Sequence, residues 1–190
     1  MSNMNIMIVG VGGQGTLLAS RILGNIVIDE GYDVKVSEVH GMSQRGGSVV
    51  TYVKFGDKVY SPIIDKGEAD VILAFEMLEA LRALPYLKKG GKIIVNNQQM
   101  NPMPVIIGAM EYPKDILGKL QSKVNVECIK ALDLAAEAGN IKAVNVVLIG
   151  VLAKGTDIAY DKWIEVLKKT VPAKLLDINL KAFDLGYNLK

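Results

Sequence analysis

The sequence lacks the side chains that most metal centres need. Its 190 residues include one cysteine, Cys128, and one histidine, His40. A single cysteine excludes an intrachain disulfide and a cysteine-ligated iron–sulfur cluster, and a single histidine excludes a histidine-rich metal site. We therefore predict no metal site on this chain. The scarcity of cysteine also favours a reducing, cytoplasmic setting.

An excess of charge of one sign is also missing. The 22 basic residues nearly balance the 20 acidic ones, and the lysines are scattered along the chain. A nucleic-acid interface needs clustered basic side chains, so we expect no nucleic-acid partner. The apolar run 143–153 is too short to cross a bilayer, and the amino terminus lacks the basic segment of a signal peptide, so we expect no membrane association.

Hydrophobic residues make up half of the sequence, and their spacing along the chain switches between a pattern typical of strands and one typical of helices. We expect one globular domain spanning residues 1–190. Short apolar runs predict strands, and the segments between them have helical spacing. The predicted strands are 5–9, 33–39, 71–75, 92–95 and 124–128, and the predicted helices include 76–84, 116–120 and 130–138.

Two further segments complete the predicted architecture. Residues 48–55, the turn Gly56-Asp57 and residues 58–61 predict an antiparallel hairpin, while the prolines of 101–104 predict a loop. Three helical apolar stripes follow residue 144. The pattern predicts an α/β fold with a doubly wound, mostly parallel, Rossmann-like sheet, an added antiparallel hairpin and a helical C-terminal third.

A glycine-rich turn joins the first predicted strand to the first predicted helix. The segment Gly10-Val11-Gly12-Gly13-Gln14-Gly15-Thr16 fits the pattern G-x-G-x-x-G in the strand–turn–helix context that it requires. Gly10 would permit the tight turn, Gly12 the close approach of a phosphate, and Gly15 the packing of helix on strand. These residues are our candidates for binding a phosphate or coenzyme A, although a turn without a ligand shares the pattern.

A second unusual segment follows the second predicted strand. It reads Ser37-Glu38-Val39-His40-Gly41-Met42-Ser43-Gln44-Arg45-Gly46-Gly47-Ser48. Together with the glycine-rich turn it closely resembles the gamma-type domain of pyruvate and other 2-oxoacid ferredoxin oxidoreductases. Its form, on a free-standing chain of this length, is most similar to the small subunit of the indolepyruvate type. The resemblance covers essentially the whole chain.

The resemblance implies a role inside a larger complex. Thiamine diphosphate, Mg²⁺ and 4Fe–4S clusters are then expected on a large alpha subunit, with this chain binding no cofactor firmly and inactive alone. The complex, a heterodimer or heterotetramer, would oxidatively decarboxylate an arylpyruvate such as indolepyruvate. Coenzyme A would take the acyl group, and the electrons would pass to ferredoxin.

The second segment has side chains suited to supporting an active site. Arg45 offers a forked cation for carboxylate or phosphate, and His40 offers an imidazole. Ser43 and Gln44 add neutral hydrogen bonds, while Gly46 and Gly47, which we count with the ligand-binding candidates, allow close backbone approach. Our hypothesis is that this loop reaches the partner's active site; the alternative is an interface anchor.

Other polar residues have simpler interpretations. Cys128 is expected to be buried in a strand, and Glu76 and Glu79 to form a solvated helix start. Residues 96–99 could line a crevice, with a polar loop as the safer prediction. Asn145 is expected to cap or bridge a neighbouring loop.

Two alternatives to a subunit of an oxidoreductase stay open. A self-sufficient NAD(P)-dependent dehydrogenase explains the glycine-rich turn, and Glu38 ends the second strand where a ribose-binding acid is needed. It leaves the segment 40–47 without a purpose. A non-catalytic nucleotide-binding assembly module would bind a ligand without any thiamine-containing partner.

Overall fold

A computed structural model describes residues 3–41 and 46–189 of the chain. Within these residues, six strands form a single sheet with the order β2-β3-β1-β4-β5-β6. Only β3 runs against the others, since it pairs antiparallel with β1 and β2 while β1, β4, β5 and β6 pair in parallel. The strands are β1 (Met4–Val11), β2 (Asp33–His40), β3 (Ser48–Gly56), β4 (Ala69–Ala74), β5 (Leu87–Asn96) and β6 (Asn125–Ile129).

The predicted mostly parallel sheet is confirmed, but the predicted hairpin has the wrong partner. Residues 58–61 form no strand. Instead residues 49–56 of β3 pair with β2, from Asp33 opposite Gly56 to His40 opposite Val49. Both arrangements bury one face of an alternating strand, so the alternation of 48–55 did not distinguish them.

Helices cover both faces of the sheet, as the continuous apolar strands require. They are α1 (Thr16–Asp29), α2 (Met77–Ala83), α3 (Met103–Ile106), α4 (Ile116–Gln121), α5 (Ala131–Ala138), α6 (Val144–Lys154), α7 (Tyr160–Thr170) and α8 (Leu176–Tyr187). The short α3 lies where a loop was predicted; Pro104 sits in its first turn, where no intrahelical amide bond is lost.

Alternate residues of β1 supply two hydrophobic cores. Ile6 and Ile8 pack with α1, α5, α6, α7 and α8, whereas Met7 and Val9 pack with α2 and α4. Helix α6 is buried from Val144 to Ala153, because it lies between the sheet and α8. The predicted helical C-terminal third is therefore confirmed. No helix in the described part of the chain is long and apolar enough to span a membrane.

The carboxyl ends of the parallel strands meet at one edge of the sheet, which we call the carboxyl edge. The glycine-rich turn after β1, the end of β2, and the segments after β4, β5 and β6 all lie there. Because β3 is reversed, its first residues join this edge as well. In open α/β sheets this is the usual place for a ligand.

Candidate functional site

The glycine-rich turn lies between β1 and α1, as predicted. Gly10, however, is still inside β1, where it pairs with Val49. A Cβ on Gly10 would lie 2.9 Å from the Gln14 Oε1 and 3.1 Å from the Phe75 Cβ. Gly10 is thus required because a side chain would collide with Gln14 of the turn and with Phe75, which follows β4.

Gly15 brings the start of α1 against α6. Its φ of +82° is in the left-handed region, and a Cβ here would lie only 2.6 Å from the Nδ2 of Asn145. That Nδ2 donates a hydrogen bond of 3.2 Å to the Gly15 carbonyl. The predicted bridging role of Asn145 is confirmed, while the predicted packing of Gly15 on the strand is corrected to packing on α6.

The two glycine-bearing segments are joined directly. The Gly12 N–H donates to the Gly47 carbonyl at 2.9 Å, so this amide is not free for the phosphate that the pattern predicted. Gly46, with a φ of +78°, precedes this contact. Ser43, Gln44 and Arg45, our candidates for active-site support, lie outside the described residues.

Gln14 stabilises the glycine-rich turn, and most of the hydrogen-bonding capacity of its side chain is used within the chain. Its Oε1 accepts from the Val11 N–H at 2.7 Å, and its Nε2 donates to the Phe75 carbonyl and to the Gln98 Oε1, both at 3.1 Å. These bonds connect the turn to β4 and to the segment after β5. We therefore reassign Gln14 from ligand binding to support of the turn.

The larger of two cavities at the turn, which we call the inner cavity, has a volume of about 600 Å³. Its polar groups come from the glycine-rich turn, Gln98 and Lys142, whose ammonium group has no hydrogen-bonding partner within the described chain. Apolar side chains from the neighbouring segments complete it. The lining residues are Gly12, Gly13, Gln14, Gly15, Gly46, Gln98, Met100, Leu132, Ile141, Lys142 and Val144.

The outer cavity, of about 460 Å³, shares Gly12, Gly13 and Gly15 with the inner one. Its remaining walls are Thr16, Leu17, Glu38, His40 and Val49. Thr16 is buried at the start of α1, but Glu38 and His40 are exposed. The His40 Nδ1 lies 3.1 Å from the Gly41 carbonyl. The structure therefore brings His40 to the glycine-rich turn, as the paired segments suggested.

A network of amides forms the wall between the turn and the end of β5. Asn96 is fully buried; its Nδ2 donates to the Phe75 carbonyl and the Gln98 Oε1, and its Oδ1 accepts from the Ala131 N–H. The crevice-lining interpretation of 96–99 holds for Gln98, while Asn97 and Gln99 are exposed in a polar loop, as the safer prediction had it. The polar residues that directly follow an apolar strand were the available signal.

Glu76 and Glu79 are buried, not solvated as predicted. One Glu76 oxygen accepts from the Glu79 N–H and caps α2, while the other accepts from the Met100 N–H at 3.0 Å and the Tyr112 hydroxyl at 2.5 Å. Burial raises the pKa of Tyr112 well above its usual value, and the Glu76 carboxylate raises it further. Glu76 thus holds both ends of the segment 100–112.

Glu79 connects the start of β3 to α2. Its two oxygens accept from the Ser48 hydroxyl and from the Arg82 guanidinium, each at 2.6 Å.

Cys128, predicted to be buried, is only half-buried, and desolvation raises the pKa of its thiol. In the described part of the chain no three His, Cys, Asp or Glu side chains are grouped to hold a metal ion.

The fold and the carboxyl edge of the sheet define the general class of this protein. It is a doubly wound α/β protein with a glycine-rich strand-to-helix turn that borders two cavities, an arrangement suited to anionic ligands. A sequence profile for the family described as pyruvate ferredoxin/flavodoxin oxidoreductase matches residues 5–189. The chain belongs to this family.

Its relatives include proteins of nearly equal length. The indolepyruvate oxidoreductase subunit IorB of Pyrococcus horikoshii is 47% identical over 192 residues, which cover 98% of this chain and 95% of that protein. The crystal structure of the pyruvate oxidoreductase subunit PORC of Thermotoga maritima matches with a TM-score of 0.75 at 18% identity, covering 98% of this chain and 96% of that one.

The same fold also occurs inside a longer chain. The 2-oxoglutarate:ferredoxin oxidoreductase of Magnetococcus marinus, solved with 2-oxoglutarate, coenzyme A and succinyl-CoA bound, matches with a TM-score of 0.74 at 20% identity. The match covers 98% of this chain but 30% of that chain. These likenesses confirm the predicted fold class.

Proposed function

We propose that this chain is the small subunit of a thiamine-dependent oxidoreductase that acts on indolepyruvate or related arylpyruvates. The observation that carries the proposal is the 47% identity to an indolepyruvate oxidoreductase subunit over nearly the full length of both chains. In the proposed reaction the 2-oxoacid is oxidatively decarboxylated, coenzyme A takes the acyl group, and ferredoxin takes the electrons.

The cofactors of this reaction belong to a large alpha subunit in the proposal. Iron–sulfur ligation takes several thiolates, and this chain has only Cys128. When bound, thiamine diphosphate with Mg²⁺ supplies the stabilised carbanion that decarboxylation needs. The present chain would form a heterodimer or heterotetramer with that subunit, in the cytoplasm, and would be inactive alone. We also propose that residues 1–190 are one domain.

The inner cavity is the proposed site for coenzyme A. The N-cap of α1 is Gly15, so no side chain caps the helix, and its first turn carries no acidic residue. The amides at the start of α1 can therefore serve an anion where Gly15 borders both cavities, although Thr16 and Leu17 line the outer one. Lys142 adds a cation, and Met100, Leu132 and Ile141 offer apolar contacts to the rest of the ligand.

The carboxyl edge is the proposed face for the partner. Of the twelve exposed large hydrophobic residues in the described chain, eight lie there. Exposed apolar side chains concentrated in one region are typical of an interaction surface. The eight exposed hydrophobic residues are Leu17, Val39, Met103, Ile106, Ile107, Met110, Leu132 and Ile141.

His40 lies at the same edge, and we propose that it acts with Ser43, Gln44 and Arg45 beside the partner's active site.

The sheet order argues against the alternative of a free-standing NAD(P) dehydrogenase. In the nucleotide-binding half of a Rossmann fold the second strand lies beside the first. The acidic residue at the end of the second strand is thereby placed next to the ribose. Here β3 separates them: Glu38 is opposite Thr51, and Thr51 is opposite Ile8. Glu38 is therefore two strand spacings, about 10 Å, from β1.

Affinity isolation of the tagged chain from its native extract tests the proposal. We expect a large iron–sulfur protein to co-purify, and the mixture to reduce a viologen dye when an arylpyruvate and coenzyme A are added. Neither component alone should do so. Tight calorimetric binding of NAD or NADP by the isolated chain, without such a partner, contradicts the proposal and favours the dehydrogenase. Ligand binding without any thiamine-containing partner favours the assembly module.

Arg45→Ala distinguishes the two roles of the second segment. Normal assembly with reduced turnover supports a contribution to the active site. Lost assembly, with normal turnover in the complex that still forms, supports an interface anchor.

A further inference from the structure

We infer that the carboxamide of Gln98 donates hydrogen bonds to an oxygen of the ligand in the inner cavity. The inference rests on the proposed function for its ligand, coenzyme A, but its geometry rests only on hydrogen bonds within the chain. Gln98 belongs to no sequence motif and follows β5. Its orientation can be derived from backbone groups whose donor or acceptor character is fixed.

The first step concerns Gln14. The Val11 N–H can only donate, and it lies 2.7 Å from one end of the Gln14 side chain. That end must be the oxygen, Oε1. The other end is then the amino group Nε2, which agrees with its 3.1 Å contact to the Phe75 carbonyl, a group that can only accept.

The second step concerns Asn96 and is independent of the first. The Ala131 N–H can only donate, and it lies 3.2 Å from one end of the Asn96 carboxamide, which must be Oδ1. The opposite end, Nδ2, lies 3.2 Å from the Phe75 carbonyl. Both neighbouring carboxamides are therefore oriented by backbone groups.

Gln98 receives a donor from each of them. Gln14 Nε2 lies 3.1 Å and Asn96 Nδ2 lies 3.0 Å from the same end of Gln98, so that end is the oxygen, Oε1. A flipped Gln98 would set its amino group against two other amino groups and lose both bonds. The amino group of Gln98 therefore occupies the other end of the carboxamide.

This amino group has no acceptor within the described residues, and Gln98 lines the inner cavity. An amide nitrogen with two unused N–H groups is suited to a carbonyl, carboxylate or phosphate oxygen. Because the side-chain amides of Gln14 and Asn96 both donate to its oxygen, the donors of Gln98 are oriented before the ligand arrives. The geometry favours an oxygen of coenzyme A at this position.

Gln98→Glu replaces the hydrogen-bond donor that faces the inner cavity with an acceptor and keeps the hydrogen bonds from Gln14 and Asn96. One carboxylate oxygen still accepts from Gln14 and Asn96, but the other replaces the amino group and repels an acceptor. In the assembled complex we expect the KM for coenzyme A to rise about tenfold or more, with a smaller change in kcat. The Tm of the isolated chain should stay within about 2 °C of the wild-type value.

The matched control is Gln99→Glu. It adds the same charge one residue away, at the exposed Gln99, whose amide donates a hydrogen bond to Asn101. We expect the KM for coenzyme A to be unchanged. Gln98→Met, which removes the donors without adding charge, is the second variant if Gln98→Glu does not assemble; we expect it to raise this KM about threefold to fivefold.

The outcomes separate the inference from the proposed function. A wild-type KM for coenzyme A in the Gln98 variants, in a complex that turns over an arylpyruvate, overturns the inference and leaves the proposed function standing. An equal rise in KM in the Gln99 control also overturns it, since the effect is then one of surface charge. A wild-type complex without arylpyruvate turnover overturns both.

Discussion

The two cavities at the glycine-rich turn are built differently. The polar wall of the inner cavity is formed by amides that are hydrogen-bonded to buried backbone groups, with Asn96 fully buried among them. Apart from the buried Thr16, the polar side chains of the outer cavity are Glu38 and His40, which are exposed and make few bonds. The inner cavity is therefore preorganised within this chain, whereas the geometry of the outer one depends on what covers it.

The largest effect is expected from Asn96→Ala, which removes the centre of the inner wall. The substitution leaves the Ala131 N–H without its acceptor and opens a buried space, so the free energy of unfolding should fall by about 3 kcal/mol. Chemical denaturation measures this. The neighbouring Asn97 is exposed, and Asn97→Ala should change stability by less than about 0.5 kcal/mol. Equal losses in both variants would contradict a preorganised wall.

The next largest effect is expected at Gly15, where backbone strain can be distinguished from steric contact with a neighbouring side chain. Gly13 and Gly15 both have positive φ, but only at Gly15 does a Cβ meet a neighbour, the Asn145 amide. Gly13→Ala should cost about 1 kcal/mol from backbone strain, and Gly15→Ala about 2 kcal/mol, because the bond from Asn145 is also disturbed. Denaturation curves of the two variants give the difference. Similar values would show that α6 does not constrain the turn.

Alkaline pH tests the burial of Tyr112 against Glu76, which holds the segment 100–112 beside the inner cavity. Since the folded state raises the pKa of Tyr112, the folded protein keeps the phenol proton more tightly than the unfolded chain. This stabilisation is fully present below about pH 10 and is lost as the pH rises above that value.

Tyr112→Phe should therefore flatten the fall in stability above pH 10, as measured by denaturation across pH. Tyr160, whose pKa the hydrogen bond to Asp184 raises to about 12, is present in both proteins, so the difference reports Tyr112 alone. Identical alkaline profiles would show that Tyr112 is neither buried in the folded protein nor held by Glu76.

The smallest effect is expected in the outer cavity. Glu38 is exposed and accepts one bond of 3.2 Å from Thr51, so Glu38→Gln should change the free energy of unfolding by less than about 0.5 kcal/mol. A loss approaching that of Asn96→Ala would remove the contrast between the two cavities.

The features predicted correctly are those with a local physical cause. Continuous apolar runs identified β1, β4 and β5, and the stripes after residue 144 identified the buried α6. The strand–turn–helix context of the glycines was also local. The pairing of β2 with β3 was missed, because the connection 41–47 resembled a functional loop and not a hairpin turn.

The features that were missed depend on residues far apart in the chain. Glu76 is buried because Met100 and Tyr112, 24 and 36 residues further on, donate to it. Gln98 takes its orientation from Gln14, 84 residues away. No short pattern records such contacts, so a carboxylate after a strand was interpreted as solvated.

Hydrogen exchange tests most directly the claim that the carboxyl edge faces a larger subunit. The exchange of each backbone amide would be compared between the isolated chain and the complex with its large partner. The account predicts new protection in residues 12–17, 100–110 and 132–142, with residues 57–68 at the opposite edge unchanged. Protection confined to the opposite edge, or none at the carboxyl edge, would contradict it.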